Sequence, residues 1–148
     1  MKRIVVLLLI GLLIPSLAAA WKYRQPAYIS NAYFCNEPQK VDGFVQPDRV
    51  FNKLKANDPL VVAHLVLNMV AGKGQHVIEV DILNSHGKIF DTMKFQPVEA
   101  VKDNWTYTAT GRFGGALPSG GLFFKIYNRH DHGARVELDT LRLMTVEW

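Results

Sequence analysis

The sequence predicts an all-β protein in which antiparallel strands form two packed sheets. Apolar and polar residues alternate with a period of two over most of the chain, as half-buried strands require. Turns rich in glycine, asparagine and proline separate these runs at intervals of about ten residues. The composition, 49% hydrophobic and 20% charged, is typical of a chain that folds around an apolar core. We therefore expect a β-sandwich of the immunoglobulin-like or jelly-roll kind, with about seven strands and at most one short helix.

The N-terminal residues have the parts of a secretory signal peptide. Lys2 and Arg3 form a basic start, residues 4–14 are almost entirely apolar, and small residues lead up to a cleavage site at Ala20. We expect cleavage near Ala20, which leaves residues 21–148 as a single domain in the periplasm or outside the cell. Because the apolar run is shorter than the ~20 residues that a helix needs to cross a bilayer, no transmembrane span is expected after cleavage. An uncleaved N-terminal anchor is the alternative.

Charge and cysteine content exclude two further classes of protein. Two of the 17 basic residues lie in the N-terminal segment, so the others are nearly balanced by 13 acidic residues. The sequence has no cluster rich in lysine or arginine, and binding to nucleic acid is not expected. Cys35 is the sole cysteine, which rules out a disulfide framework. Its apolar neighbours predict a small buried hydrophobe, with a disulfide to a second chain as the alternative.

The strands are predicted from alternation, in chain order. Residues 28–35 form the first strand. Asp48 is placed to cap one short helix, because apolar residues follow it at helical spacing as far as Leu54. Residues 61–70 are apolar on one face and largely apolar on the other, which predicts a central strand, with a buried helix as the alternative. Five more strands are predicted at residues 76–83, 88–95, 105–113, 121–128 and 136–148.

The segments between these runs predict how the strands connect. Three segments are short enough for hairpin loops: residues 71–74, 84–87 and 129–135. Residues 114–121 form a longer, glycine-rich loop. The last run changes the parity of its apolar residues, so we expect one bulge near Asp139–Thr140 and another near Leu143–Met144.

His130, Asp131 and His132 are the one group with the composition of a metal site. Two imidazoles with a carboxylate between them are suitable ligands for Zn²⁺ or Cu²⁺. A tetrahedral site needs a third and a fourth ligand, and the other histidines are scattered over separate segments. We therefore expect an exposed hairpin tip here and no metal or other cofactor, with metal binding as the alternative.

Aromatic residues are the candidate groups for binding a partner. Trp21, Tyr23 and Tyr28 crowd the mature N-terminus, in an extended segment suited to pairing with a sheet edge. Phe123 and Tyr127 share one face of a strand whose other face is apolar, so the simpler interpretation is a covered strand with both rings in the core. If that face is exposed, the two rings are candidates for binding a partner or a sugar.

The function is predicted by elimination. The sequence has no nucleophile in a recognisable catalytic motif, so an enzyme is not expected. A non-enzymatic exported protein that binds and stabilises another envelope component is the first expectation. Compartment and size suggest an accessory of a multi-protein assembly, such as a type IV pilus or a secretion machine. A carbohydrate-binding module for peptidoglycan or an exported glycan is the alternative.

Overall fold

Every regular element in the described part of the chain is a β-strand, which confirms the all-β prediction. The structure is a computed structural model that describes residues 26–41, 44–47 and 49–147, of which 40–41 and 44–47 are described by their backbone alone. The strands are β1 (Ala27–Cys35), β2 (Pro38–Val41), β3 (Phe44–Pro47), β4 (Val50–Phe51), β5 (Lys53–Lys55), β6 (Val62–Ala71), β7 (Gly74–Asn84), β8 (Ile89–Lys94), β9 (Val98–Ala100), β10 (Trp105–Gly114), β11 (Leu122–His130) and β12 (Arg135–Val146). These ranges contain no helix long and apolar enough for a bilayer span.

The strands form two main sheets and a small separate hairpin. The first sheet has the order β10–β6–β1–β4, and the second has the order β5–β12–β11–β7–β8. β9 pairs with β7 beyond the end of β8, on the side of β7 that faces away from β11. β2 and β3 pair with each other. All of these pairs are antiparallel except β5 with β12, which is parallel.

One apolar core lies between the two main sheets. Phe34 on β1, Phe113 on β10 and Phe124 on β11 meet there, with ring centroids 4.9 to 5.9 Å apart. Phe124 belongs to the second sheet and the other two rings to the first, so these contacts join the two layers. Burial of each such side chain contributes about 1.5–3 kcal/mol to folding.

The described residues form twelve strands, more than the predicted number of about seven. Each of the seven predicted runs corresponds to one long strand: β1, β6, β7, β8, β10, β11 and β12. The additional strands, β2 to β5 and β9, have two to four residues each. Alternation is recognisable only over about four to eight residues, so strands this short leave no pattern in the sequence.

The helix predicted over the residues that follow Asp48 is wrong, and Asp48 itself lies outside the described residues. Phe51 lies in β4 of the first sheet, Leu54 lies in β5 of the second, and Asn52 separates the two strands. Phe51 and Leu54 both pack against the core. A chain that crosses from one sheet to the other points both side chains inward, and this produces the same spacing as the apolar face of a helix.

The hairpin predicted at residues 71–74 is instead a crossing between the sheets. β6 lies in the first sheet and β7 in the second. The Gly72 amide donates to the Pro26 carbonyl oxygen at 2.7 Å, outside the strand ladders. Turn residues show that the chain reverses, but not whether the next strand pairs with the last one or packs behind it. The hairpins predicted at residues 84–87 and 129–135 are confirmed by the β7–β8 and β11–β12 pairs.

β12 contains a bulge next to the first predicted position. Ile126 lies opposite Asp139, whereas the next residue, Tyr127, lies opposite Glu137. Leu138 is therefore the extra residue, and it packs against the core. The bulge keeps the apolar side of β12 inward across the change of parity, as predicted.

The irregularity predicted near Leu143–Met144 is wrong. Leu143 and Thr145 are both buried, and Met144 between them is exposed, so the alternation continues without a shift. Thr145 occupies a core position because its hydroxyl donates to the Pro118 carbonyl oxygen at 2.5 Å and accepts from the Gly121 amide at 2.8 Å. Thr145 is a polar residue at an inward-facing position, so the sequence pattern suggested a change of face that does not occur.

The prediction for Cys35 agrees with the structure. Cys35 is fully buried at the end of β1, as expected of a small hydrophobe. Trp105, at the start of β10, also packs against the core.

Candidate functional site

Phe123 and Tyr127 lie on the outer face of the second sheet, so the prediction that both rings are core is wrong. Both side chains are half-buried, whereas their neighbours Phe124 and Ile126 are fully buried on the inner face. Only one face of β11 is needed to cover the first sheet. The two rings therefore remain candidates for contact with a partner.

An arginine covers the ring of Tyr127. The guanidinium carbon of Arg135 lies 3.6 Å from the ring centroid, well within the range of a cation–π interaction. Arg135 Nη2 lies 2.7 Å from Asp81 Oδ1, and Arg135 Nε lies 3.2 Å from Glu79 Oε2. The hydrogen bond to Asp81 raises the pKa of Arg135 above its ordinary value. This network holds the guanidinium over Tyr127, and one face of the ring is therefore occupied.

Phe123 lies in a row of cross-strand neighbours at the other end of the same face. Leu83 of β7 and Arg142 of β12 lie directly opposite it, and Ile89 of β8 lies opposite Leu83. The guanidinium carbon of Arg142 is 5.6 Å from the Phe123 ring centroid. Ile89 is 55% exposed. The row is therefore a small apolar strip with a cation at one end.

The N-terminal aromatic residues are only partly described. Tyr28 lies in β1 opposite Val70 and is half-buried. Its register places it on the outer face of the first sheet, since the neighbouring pair of Ala27 and Ala71 is buried in the core. Trp21 and Tyr23 lie outside the described residues.

His130 and Asp131 hold the β11–β12 turn. The turn closes with a hydrogen bond from the Gly133 amide to the His130 carbonyl oxygen. Asp131 Oδ1 accepts a hydrogen bond from the backbone N–H of Gln75 at 2.8 Å, and His130 Nε2 lies 3.0 Å from the Lys73 carbonyl oxygen. Because a carbonyl oxygen can only accept, Nε2 carries the proton in this hydrogen bond.

His132 is exposed at the tip of this turn. Asp131 and His132 have φ values of 46° and 61°, in the left-handed region that the two central residues of a type I′ turn occupy. Within the described ranges, no three histidine, cysteine, aspartate or glutamate side chains converge on a point that suits a metal ion. The structure therefore assigns local turn-forming contacts to two of the three candidate ligands.

His76 is a buried residue that sequence reasoning did not single out. It is fully buried, and its ring stacks on that of His130 with centroids 4.7 Å apart. His76 Nε2 lies 2.8 Å from the Gly72 carbonyl oxygen, and Nδ1 lies 3.2 Å from Asn128 Nδ2. His76 thus ties the β6–β7 crossing to β11. Its parity, which is that of Ile78, was the signal that could have placed it on the inner face.

The edges of the two sheets differ in how well they are closed to further pairing. Unpaired strand edges invite another strand, and proteins close them with bulges, charges or very short strands. β8 and β12 each contain a bulge, as does β1, and β4 and β5 have two and three residues. β8 and β12 also carry several charged residues. These edges therefore resist the addition of a strand.

β10 is the exception among the described edge strands. Its ten residues pair with β6 in an unbroken register, from Trp105 opposite Ala71 to Gly114 opposite Val62. Arg112 is its one charged residue, and it contains no proline. Among the described residues, no strand pairs with the side of β10 that faces away from β6. We call this side the β10 edge.

A cleft of about 350 Å³ lies beside the β10 edge, between the two sheets. Residues from β8, from the segment after it and from β10 line the cleft: Met93, Lys94, Phe95, Gln96, Thr110, Gly111 and Arg112. A Cβ atom on Gly111 would lie 2.8 Å from Phe95 Cζ and 2.9 Å from Met93 Sδ. The missing side chain of Gly111 therefore lets the Phe95 ring pack against the strand.

Two cations flank this cleft. Lys94 is exposed, and its Nζ lies 3.9 Å from Glu79 Oε1, which is a long and weak ion pair. Arg112 is exposed and forms no ion pair with any described residue. His64, its neighbour on β6, directs Nδ1 to the Asn36 carbonyl oxygen at 2.6 Å. The positive charge of Arg112 is thus available to a ligand at the β10 edge.

Comparisons with known proteins relate this chain to others by fold. No protein-family model matches the sequence, and no curated protein matches it. The C-terminal domain of wzt is similar over 84% of this chain and 76% of its own length, with a TM-score of 0.56 and 14% identity. A calcium-binding mutant of Bacteroides uniformis β-glucuronidase 2 is similar over 79% of this chain but only 14% of its own length, with a TM-score of 0.53 and 10% identity. At these identities the similarity is one of β-rich fold alone.

Proposed function

We propose that this protein is an exported, non-enzymatic binding domain that stabilises another envelope component through its β10 edge. An extended segment of the partner adds to β10 as a further strand of the first sheet, with main-chain hydrogen bonds supplying affinity. One observation carries the proposal: β10 keeps a long, regular edge without the bulges and charges that close the other described edges. In this proposal the two sheets form a β-sandwich of the immunoglobulin-like or jelly-roll kind, which holds β10 rigid.

The proposed partner is a protein of the cell envelope, such as a component of a type IV pilus or a secretion machine. This part of the proposal rests on the signal peptide predicted from the sequence, with cleavage near Ala20. N-terminal sequencing of the protein recovered from the periplasm or medium tests it. We expect a chain that begins near Trp21, and a recovered chain that still begins with Met1 contradicts cleavage.

Site-specific crosslinking in intact cells tests the binding surface. Thr106 is exposed on the outer face of β10, and Ser119 is exposed in the loop that follows this strand. A photoreactive amino acid at Thr106 is expected to capture one envelope protein, and the same group at Ser119 is expected to capture little of it. Equal capture from the two positions contradicts binding at the β10 edge.

Lysine substitutions provide the matched test of strand addition. Thr108→Lys with Thr110→Lys places two charges on the exposed face of β10, directly beside the edge at which the partner strand would pair. Ser85→Lys with His86→Lys adds two lysines in the exposed β7–β8 turn. We expect the first pair to abolish the crosslink from Thr106 and the second pair to preserve it. A crosslink that survives the β10 substitutions, in a protein with an unchanged circular dichroism spectrum, contradicts the proposal.

A carbohydrate-binding module for peptidoglycan or an exported glycan remains the second candidate, favoured by the outward position of Phe123. Tyr127 supports it less, because Arg135 already occupies one face of that ring. Retention on a peptidoglycan matrix that Phe123→Ala removes, and that the β10 lysine substitutions leave unchanged, would select this candidate over strand addition. We expect no such retention.

A further inference from the structure

We infer that the partner segment carries an acidic residue next to an apolar residue at the point where it crosses Gly111 and Arg112. This inference rests on the proposed function, because it assumes that a strand adds to the β10 edge. It goes further by assigning the chemistry that selects the segment: a carboxylate for the cation on the outer face and an apolar side chain for the cleft on the inner face.

The acidic position follows from Arg112. Residues directly opposite each other in neighbouring strands have Cβ atoms about 4.5–5.5 Å apart and point to the same face of the sheet. The partner residue opposite Arg112 therefore lies beside a guanidinium group that no described carboxylate neutralises. A glutamate or aspartate fits this position, whereas a lysine is repelled.

The apolar position follows from Gly111. Gly111 lies opposite Leu65, which is fully buried, so it belongs to the inner face of the first sheet. The partner residue opposite Gly111 consequently directs its side chain to the inner side, where Met93 and Phe95 line the cleft. An apolar side chain there covers the thioether and the aromatic ring and removes their exposed surface from water.

The remaining positions are set by the rest of β10. Its outer face carries three exposed threonines, Thr106, Thr108 and Thr110. β-Branched residues pair well across strands and favour extended backbone. The segment is therefore a β-branched strand in which one acidic and one apolar residue are adjacent, and the two side chains project from opposite faces.

Synthetic peptides test this assignment on the purified domain. Each peptide is as long as β10, alternates threonine and valine, and carries glutamate–leucine–glutamate, glutamine–leucine–glutamine or lysine–leucine–lysine at its centre. The symmetric centre makes the result independent of strand direction. Binding is followed at millimolar peptide by the backbone amide shifts of β10 and of residues 93–96. We expect the glutamate peptide to bind about fivefold or more tightly than the lysine peptide, with the glutamine peptide between them.

Arg112→Glu supplies the decisive variant, because a charge reversal at an exposed position leaves the fold intact. We expect it to reverse the order of the glutamate and lysine peptides. Equal binding of all three peptides, absence of binding by any of them, or an order that Arg112→Glu does not change overturns the inference. Crosslinking from Thr106 separates this inference from the proposed function. If a partner is captured at Thr106 but the three peptides bind equally, strand addition is retained and only the acidic and apolar assignment is rejected.

Discussion

Tyr107 has a buried hydroxyl group without a hydrogen-bond partner among the described residues. The residue points inward from β10 opposite Met69, and its ring packs against the core. Burial raises the pKa of the phenol to about 12, because the phenolate would be poorly solvated there. The hydroxyl therefore costs folding energy at neutral pH and more at alkaline pH.

Tyr107→Phe is expected to make stability less sensitive to alkali. The pKa is raised in the folded state, so the neutral phenol is the form that folding favours. The stability that depends on a neutral phenol is fully present below the unfolded-state pKa of about 10. It is lost as the pH rises through the folded-state pKa of about 12. Between these pH values the wild-type protein should lose roughly 1–2 kcal/mol more than Tyr107→Phe. Urea denaturation at several pH values measures the difference, and parallel curves contradict it.

Residue-level prediction succeeded where a single side chain had one dominant property. Cys35 is apolar and small, and it is buried as expected. Phe123 is equally apolar but lies on the outer face, because burial depends on which face of β11 meets the other sheet. Among the polar residues, His76 and Thr145 are core residues because specific partners satisfy their hydrogen bonds. Those partners come from distant segments, which a local pattern does not contain.

At the level of elements, the β11–β12 turn depends on two residues with left-handed backbone. His132→Gly is expected to stabilise the protein by about 0.5 kcal/mol, since glycine adopts a positive φ without the penalty of a side chain. Asp131→Ala is expected to destabilise it by about 1–2 kcal/mol, because the backbone N–H of Gln75 loses its hydrogen-bond acceptor. Thermal unfolding measures both, and a stabilising Asp131→Ala contradicts the role given to this carboxylate.

The same variants decide whether this turn binds metal. Zn²⁺ is expected to leave the melting temperature of the wild-type protein unchanged, since His130 and Asp131 are engaged in the turn. A rise in melting temperature with Zn²⁺ that His132→Gly removes would assign a metal site to the turn.

Long strands were predictable from the sequence and short ones were not. An alternating run such as β10 shows its inner and outer faces directly, and its bounds were predicted to within one residue. β4 and β5 are held by pairing with β1 and β12, which are remote in the sequence. The predicted helix failed at this point, because inward side chains on two successive short strands imitate helical spacing.

At the level of the whole molecule, Phe124 joins the two sheets through its contacts with Phe34 and Phe113. Phe124→Ala is expected to destabilise the protein by about 3–5 kcal/mol, since it opens a cavity where both layers meet. Phe90→Ala provides the control: this ring is 44% exposed, and the cost should be at most about 1 kcal/mol. Urea denaturation compares the two, and equal losses contradict a core shared by both sheets.

The pattern of residues along the chain predicts the all-β class, the positions of the long strands, and which residues alternate along them. These properties are local, because the faces of a strand are set by the two-residue period of its own backbone. Three further properties are visible only in the folded molecule: which strands share a sheet, that β10 lies at an edge, and that Phe95, Gly111 and Arg112 line one cleft. Edges and clefts arise from contacts between segments far apart in the chain. The alternation of residues within one strand does not identify the strands that pair with it or pack against it.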